Sequence, residues 1–329
     1  MKKFINKAEN VESEMISGLL KAYPNKIKKL DGFNVLVRAN KKEGKVAIIT
    51  GGGSGHEPGY AGYVGEGIVD AAVAGAVYTS PTPDQIYEGI KAIATDKGVL
   101  MIVMNYTGDI MNFEMAQELA MADGVDVEMV ITNDDVAVEN SLYTTGRRGV
   151  AGTVFVVKAA GAMAEAGASL QEVKRVAQKV TDNIRSMGVA INPSTVPAAG
   201  KVGFELNENE MEVGIGIHGE PGTHKDTIKP ADEIVDMLLE KILIDYDYSS
   251  SEVATIVNGS GGTPLMELYI VNNHLHDALT NKGIKIYKSL VGNYLTSLDQ
   301  EGFSITLLKL DDEIKELLDA KADTVAYHE

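Results

Sequence analysis

No cysteine occurs in the 329 residues. That excludes disulfides, thiolate nucleophiles and thiolate-ligated zinc, and it suits a reducing compartment such as the cytoplasm. Long apolar runs are also missing, with nothing near the ~20 residues of a membrane span. The start, Met1-Lys-Lys-Phe-Ile-Asn-Lys-Ala-Glu-Asn10, has neither the apolar core nor the small-residue cleavage site of a secretory signal. The expectation is a cytoplasmic chain with no membrane partner. Basic residues are outnumbered, with 30 Lys and Arg against 47 Asp and Glu, for a net charge of −17. A field of that sign repels nucleic acid and anionic membranes. Arg147-Arg148 is the one obvious basic pair, so a small neutral substrate fits the charge balance better than a nucleotide.

Phosphate-binding fingerprints are absent too. There is no G-x-x-x-x-G-K-[ST] loop, no kinase-type glycine loop and no G-x-S-x-G elbow. Gly214-Ile-Gly-Ile-His-Gly219 spells G-x-G-x-x-G, but the dinucleotide fingerprint needs its third glycine to open a helix. Here Glu-Pro-Gly-Thr-His-Lys follows, and helix is expected only after Pro230. No metal site is expected. His274 and His276 stand two apart in a helical stretch and cannot share a helix face.

What is present reads as α/β. Hydrophobic residues make up 44% and charged residues 23%, ordinary for a folded globular chain. Strand-like runs (Val46–Ile49, Val99–Met104, Val127–Ile131, Val253–Val257) alternate with helix-like ones. Thr82-Pro83-Asp84 opens one helix, and Ser169 with Glu172 forms a capping box for another spanning Leu170–Ser186. A helix over Val150–Ala166 precedes it. The organisation changes near residue 187, which implies two α/β domains, 1–187 and 188–329. Each is expected to hold a mixed or mostly parallel sheet flanked by helices, with the active site at strand ends between the motif loops.

Two of the six histidines sit in near-twin settings. Gly51-Gly-Gly-Ser-Gly-His-Glu-Pro58 follows the β-like run Lys45–Thr50, and Gly214-Ile-Gly-Ile-His-Gly-Glu-Pro-Gly222 ends the run Met211–Ile217. Each offers glycine backbone, an imidazole, a carboxylate and a proline, so His56 and His218 are expected to face one pocket. Asn105-Tyr-Thr-Gly-Asp109 places a carboxylate just after a buried strand, suited to a general base and equally to a helix cap. Tyr78–Pro83 and Asn133–Val136 stand where a cleft wall would be, although turns and caps account for both.

Those motifs, together with Gly146-Arg-Arg-Gly-Val-Ala-Gly152 and Gly302-Phe-Ser-Ile-Thr-Leu307, resemble the K subunits of bacterial dihydroxyacetone kinase over essentially the whole chain, about residues 7–329. The resemblance implies that His218 attacks the ketone carbon through a ring nitrogen to form a hemiaminal. It implies substrate contacts from Gly53, Ser54, Gly55 and His56, with His56 and Asp109 acting on the hydroxyl to be phosphorylated. Many relatives carry lysine where this chain has Met104. The ATP-dependent single-chain relatives continue into a nucleotide-binding domain, whereas this sequence stops at Glu329. The implied partners are therefore dihydroxyacetone, a separate L subunit carrying nucleotide and Mg, and indirectly a phosphotransferase-system donor drawing on phosphoenolpyruvate. This chain would bind no cofactor itself and would form a homodimer. The alternative is a dihydroxyacetone-sensing coactivator that binds a transcription regulator without turnover. Asp109 favours the kinase, because a pure binder needs no base.

Overall fold

Apolar runs build the centre of the first sheet. The computed structural model describes residues 2–139 and 144–329, so part of the polar stretch Asn133–Gly149 lies outside the described residues. The first sheet contains β1 (Ile27–Lys29), β2 (Val35–Arg38), β3 (Ala47–Ser54), β4 (Ala71–Val77), β5 (Val99–Met104) and β6 (Val127–Thr132), in the order β1-β2-β4-β3-β5-β6. β4, β3, β5 and β6 run parallel, while β1 and β2 join antiparallel at one edge. Five helices accompany them: α1 (Val11–Ala22), α2 (Pro83–Ile93), α3 (Thr107–Ala122), α4 (Thr153–Glu165) and α5 (Leu170–Asn183). Val99, Met101 and Val103 of β5 face α2 and α3, and Leu100, Ile102 and Met104 face the core of α1, α4 and α5. Helices on both faces explain why β5 is apolar at every position rather than alternating.

Helix ends follow local chemistry. Pro83 begins α2, although Thr82 offers no side-chain cap to the backbone. The Ser169 hydroxyl accepts the Glu172 N–H at 3.4 Å, as the capping box anticipates. Two boundaries differ from expectation. α4 starts at Thr153 rather than Val150, because the chain first makes tighter turns, the Thr153, Val154 and Phe155 N–H groups donating to the Val150, Ala151 and Gly152 carbonyls, while the Asp134 carboxylate takes the free Val150 and Gly152 N–H groups at 2.8 Å each. α5 ends at Asn183 rather than Ser186, because Ile184–Leu308 and Ser186–Thr306 pairing draws the chain into a strand.

That strand, β7 (Ile184–Asn192), opens the second sheet, so residue 187 lies inside it and the change of sheet falls between Asn183 and Ile184. A small pair follows, β8 (Thr195–Val196) with β9 (Lys201–Val202), then β10 (Glu210–Val213), β11 (His224–Thr227), β12 (Glu252–Gly259), β13 (Lys285–Gly292) and β14 (Glu301–Lys309). The order is β11-β10-β7-β14-β12-β13, and only β12–β13 is parallel. This sheet is mixed with mostly antiparallel pairs. α6 (Ala231–Asp245) and α7 (Leu265–Asn281) cover one face. On the other, Ala254, Ile256 and Leu308 join a core shared with α4, α5, α8 (Asp312–Asp319) and first-sheet residues Ile48 and Ile102. The two sheets therefore meet through one continuous apolar cluster.

Candidate active site

The parallel strands of the first sheet deliver their carboxyl ends to one edge, where α/β proteins gather ligand-binding groups. β3 does not stop at Thr50 as its apolar run suggests. Gly51, Gly52, Gly53 and Ser54 continue it, paired with β4. A Cβ on Gly53 would lie 2.6 Å from the Thr79 nitrogen and 2.8 Å from the Tyr78 Cα, so this glycine admits neighbouring backbone. The Ser54 hydroxyl is engaged, donating to the Gly75 carbonyl at 2.7 Å. Gly55, with φ of 104°, then turns His56 into the interior.

His56 is fully buried, and its Nδ1 lies 2.8 Å from the Thr296 carbonyl. A carbonyl only accepts, so His56 carries its proton on Nδ1 and presents a lone pair at Nε2. Nε2 of His218 stands 3.2 Å away and supplies the proton for that contact. Nδ1 of His218 is then a bare acceptor, buried with no partner. Burial lowers both imidazoles to about 3, helped by His218 acting on His56 and by Arg148 acting on His218. Both rings are neutral near pH 7 and keep their nucleophilic or basic lone pairs.

His218 does not follow directly on a strand, contrary to the run Met211–Ile217. β10 ends at Val213 because Gly214 turns with φ of 73° and its carbonyl is taken by Arg148 Nη2 at 2.7 Å. Arg148, wholly buried, also reaches Asp135 through Nε at 2.7 Å and Glu220 through Nη1 at 3.3 Å. Glu220 in turn accepts the His218 backbone N–H at 2.8 Å. One guanidinium thus grips both ends of the loop that carries His218, and the motifs around Asn133–Val136 and Gly146–Gly152 find their role there. Asp135 pairs with Ser186 of β7, fastening this assembly to the second sheet.

Aromatic rings wall the pair. Tyr78 stacks on His56 with centroids 5.3 Å apart and 20° between planes, held by hydroxyl contacts to Ser194 (3.0 Å) and Ser297 (2.8 Å). Its φ of 56° is rare for a bulky residue and is maintained by those contacts. Tyr106 meets His218 edge-on at 4.3 Å, and Tyr60 meets His56 edge-on at 6.2 Å. Met104 is buried in the core, its sulfur 3.7 Å from the Tyr60 hydroxyl.

Asp109 is not a helix cap, since Tyr106 holds the cap position of α3 and Asp109 lies in the first turn. It is buried, its Oδ1 has no partner, and its charge is felt by Tyr60. Burial raises its pKa from 3.8 to about 7, against a hydrogen bond with Ser80. A carboxyl poised there can act as a general base at neutral pH.

Of the residues that the sequence put forward, the fold brings His56 and His218 into contact, and it buries Asp109 within reach of Tyr60, the ring that meets His56 edge-on. Sequence reasoning did not identify Arg148, Glu220, Thr296 or Tyr106 as members of the site. Arg148 was visible only as half of a basic pair, and Glu220 only as a carboxylate of the histidine motif. Thr296 carries no local signal.

Residues 17–326 match the family model described as the Dak1 domain. The chain is 51% identical to PTS-dependent dihydroxyacetone kinase 1, dihydroxyacetone-binding subunit DhaK, of Listeria innocua, over 99% of this chain and 100% of that protein. In structure it is similar to the dihydroxyacetone kinase of C. freundii in complex with AMP-PNP and Mg2+. That match has a TM-score of 0.93 and 33% identity, and it covers 99% of this chain and 61% of the other. It is also similar to the dihydroxyacetone kinase operon co-activator Dha-DhaQ, with a TM-score of 0.89, 34% identity, and coverage of 95% and 96%.

Proposed function

The chain belongs to the Dak1 family, and on that membership we propose that it is the dihydroxyacetone-binding subunit of a dihydroxyacetone kinase, a phosphotransferase, with His218 as the covalent anchor of the ketone. The observation that carries the anchoring role is the buried, neutral His56–His218 pair joined through one proton. Dihydroxyacetone is small and neutral, so noncovalent burial alone would hold it weakly. A reversible bond adds affinity and orientation together.

In this reading the carbonyl enters between the two rings. His56 Nε2 takes the proton from His218 Nε2 as that nitrogen bonds to the carbonyl carbon. The carbonyl oxygen, left with the electron pair, recovers the proton from His56 and becomes a hydroxyl. Atoms and charge balance, and His56 returns to neutral. Nε2 is favoured over Nδ1 because Nδ1 is sealed from solvent. Asp109, with His56 assisting, then removes the proton from the terminal hydroxyl as it is phosphorylated. Gly53, lacking a Cβ, leaves room for the Tyr78–Thr79 backbone beside it.

The nucleotide and its Mg2+ are assigned to a separate L subunit, recharged from phosphoenolpyruvate through a phosphotransferase system, and the chain to a homodimer. The name of the Listeria relative, a binding subunit of a phosphotransferase-dependent kinase, supports this division. The co-activator reading is supported less, by 34% identity against 51% for the kinase subunit. Intact-mass analysis tests the anchor. Wild type with dihydroxyacetone should show a one-substrate adduct, and His218→Ala should show none while His56→Ala retains some. An undiminished adduct in His218→Ala would remove the assignment.

A further inference from the structure

Five buried side-chain nitrogen or oxygen atoms among the described residues lack a hydrogen-bond partner, and three of them are the Tyr106 hydroxyl, Asp109 Oδ1 and His218 Nδ1. Folded proteins keep few such groups, and those they keep call for a physical reason. Asp109 and His218 already have tasks. Tyr106 has none.

Its ring lies 4.3 Å from the His218 ring at 81°. The residue is rigidly held. Its own N–H donates to the Met104 carbonyl at 2.8 Å, and neighbouring Asn105 donates to the Thr145 and Arg147 carbonyls at 3.0 and 2.7 Å. Burial pushes the phenol pKa well above its ordinary value, with Glu220 adding to the effect, so the hydroxyl stays protonated. The charge of Arg148 reaches both the phenol and the His218 imidazole. The ring that carries a donor without an acceptor therefore stands beside the ring that carries an acceptor without a donor.

We propose that the Tyr106 hydroxyl is a positioning donor for His218 Nδ1, closing that hydrogen bond when a captured carbonyl displaces His56 from Nε2. The proposal rests on the reading of His218 as the covalent anchor. In the hemiaminal, Nε2 is bonded to carbon and Nδ1 retains its lone pair, so a fixed donor there stabilises the adduct. It also fixes the rotation of the modified ring.

The test uses the full chain with histidine labelled in nitrogen-15 and dihydroxyacetone labelled with carbon-13 at the carbonyl. NMR follows the tetrahedral adduct carbon and the His218 nitrogens. Tyr106→Phe differs by one oxygen and removes an unpartnered group, so the ligand-free melting temperature should hold or rise. The adduct equilibrium constant should fall about tenfold, the scale of one buried hydrogen bond. The Nδ1 resonance of the remaining adduct should move toward that of an unbonded imine-type nitrogen. An unchanged equilibrium and an unchanged Nδ1 resonance would overturn the proposal. So would a lower melting temperature with Nδ1 unmoved, which marks a packing role. If wild type forms no tetrahedral carbon, the covalent reading itself fails and this proposal with it. A normal wild-type adduct that Tyr106→Phe leaves intact rejects Tyr106 alone.

Discussion

Asp109 owes its chemistry to burial. The same carboxyl at a surface would be ionised far below neutrality and would make a feeble base, whereas its interior site raises it to about 7. A base works in its ionised form, so phosphorylation by the reconstituted enzyme should increase as pH rises through about 7 and level off above it. Asp109→Asn preserves the shape and removes that limb. Turnover should fall by about two to four orders of magnitude, while adduct formation on His218 persists. The check is a pH–rate profile beside intact-mass detection of the adduct. A wild-type rate in Asp109→Asn would leave Asp109 with a structural role only. The two histidines show the opposite sign. Burial disfavours their charged forms, and each remains a neutral imidazole where an exposed one would begin to protonate.

At the scale of elements, the loop from Gly214 to Glu220 decides where His218 stands, and its glycines have a steric cause. A Cβ on Gly216 would lie 1.7 Å from Glu220 Oε1 and 2.7 Å from Arg148 Nη1. Gly216→Ala must push Glu220 away from the His218 N–H or shift Arg148, both inside a closed interior. Destabilisation of about 1–3 kcal/mol is expected from such overpacking, with a loss of dihydroxyacetone capture larger than the melting-temperature change alone explains. Thermal melting and adduct titration on one preparation measure both. Unimpaired capture would show that the loop tolerates movement and that the Arg148 grip is not needed. Elements held by local pattern were readable. β5 matches its apolar run end to end, and Ser169 starts α5 as its spacing indicates. Where tertiary partners competed with local pattern, the boundaries moved. Strand pairing with β14 shortens α5.

For the whole molecule, the covalent reading makes a categorical statement about substrate. Glycerol has the same carbon count and similar hydroxyls, yet its central carbon offers an imidazole nothing to attack. Shape and hydrogen bonding would allow modest discrimination. A required hemiaminal allows none of the glycerol through. With purified L subunit and phosphoryl donor, dihydroxyacetone should be phosphorylated, glyceraldehyde to some extent, and glycerol not measurably. Comparable turnover of glycerol would remove covalent capture and leave His218 an ordinary wall residue.

The sequence by itself determined the α/β class, the twin histidine motifs and the carboxylate after β5, because each is written in contiguous residues with a period or a turn chemistry. Only the tertiary structure decided what those residues do to one another. His56 owes its tautomer to a carbonyl 240 positions away, at Thr296. His218 owes its loop to a guanidinium 66 positions from the Gly214 carbonyl it holds. Neutral imidazoles and a carboxyl titrating near 7 arise from exclusion of water, and water is excluded only once two sheets and their helices close over the site.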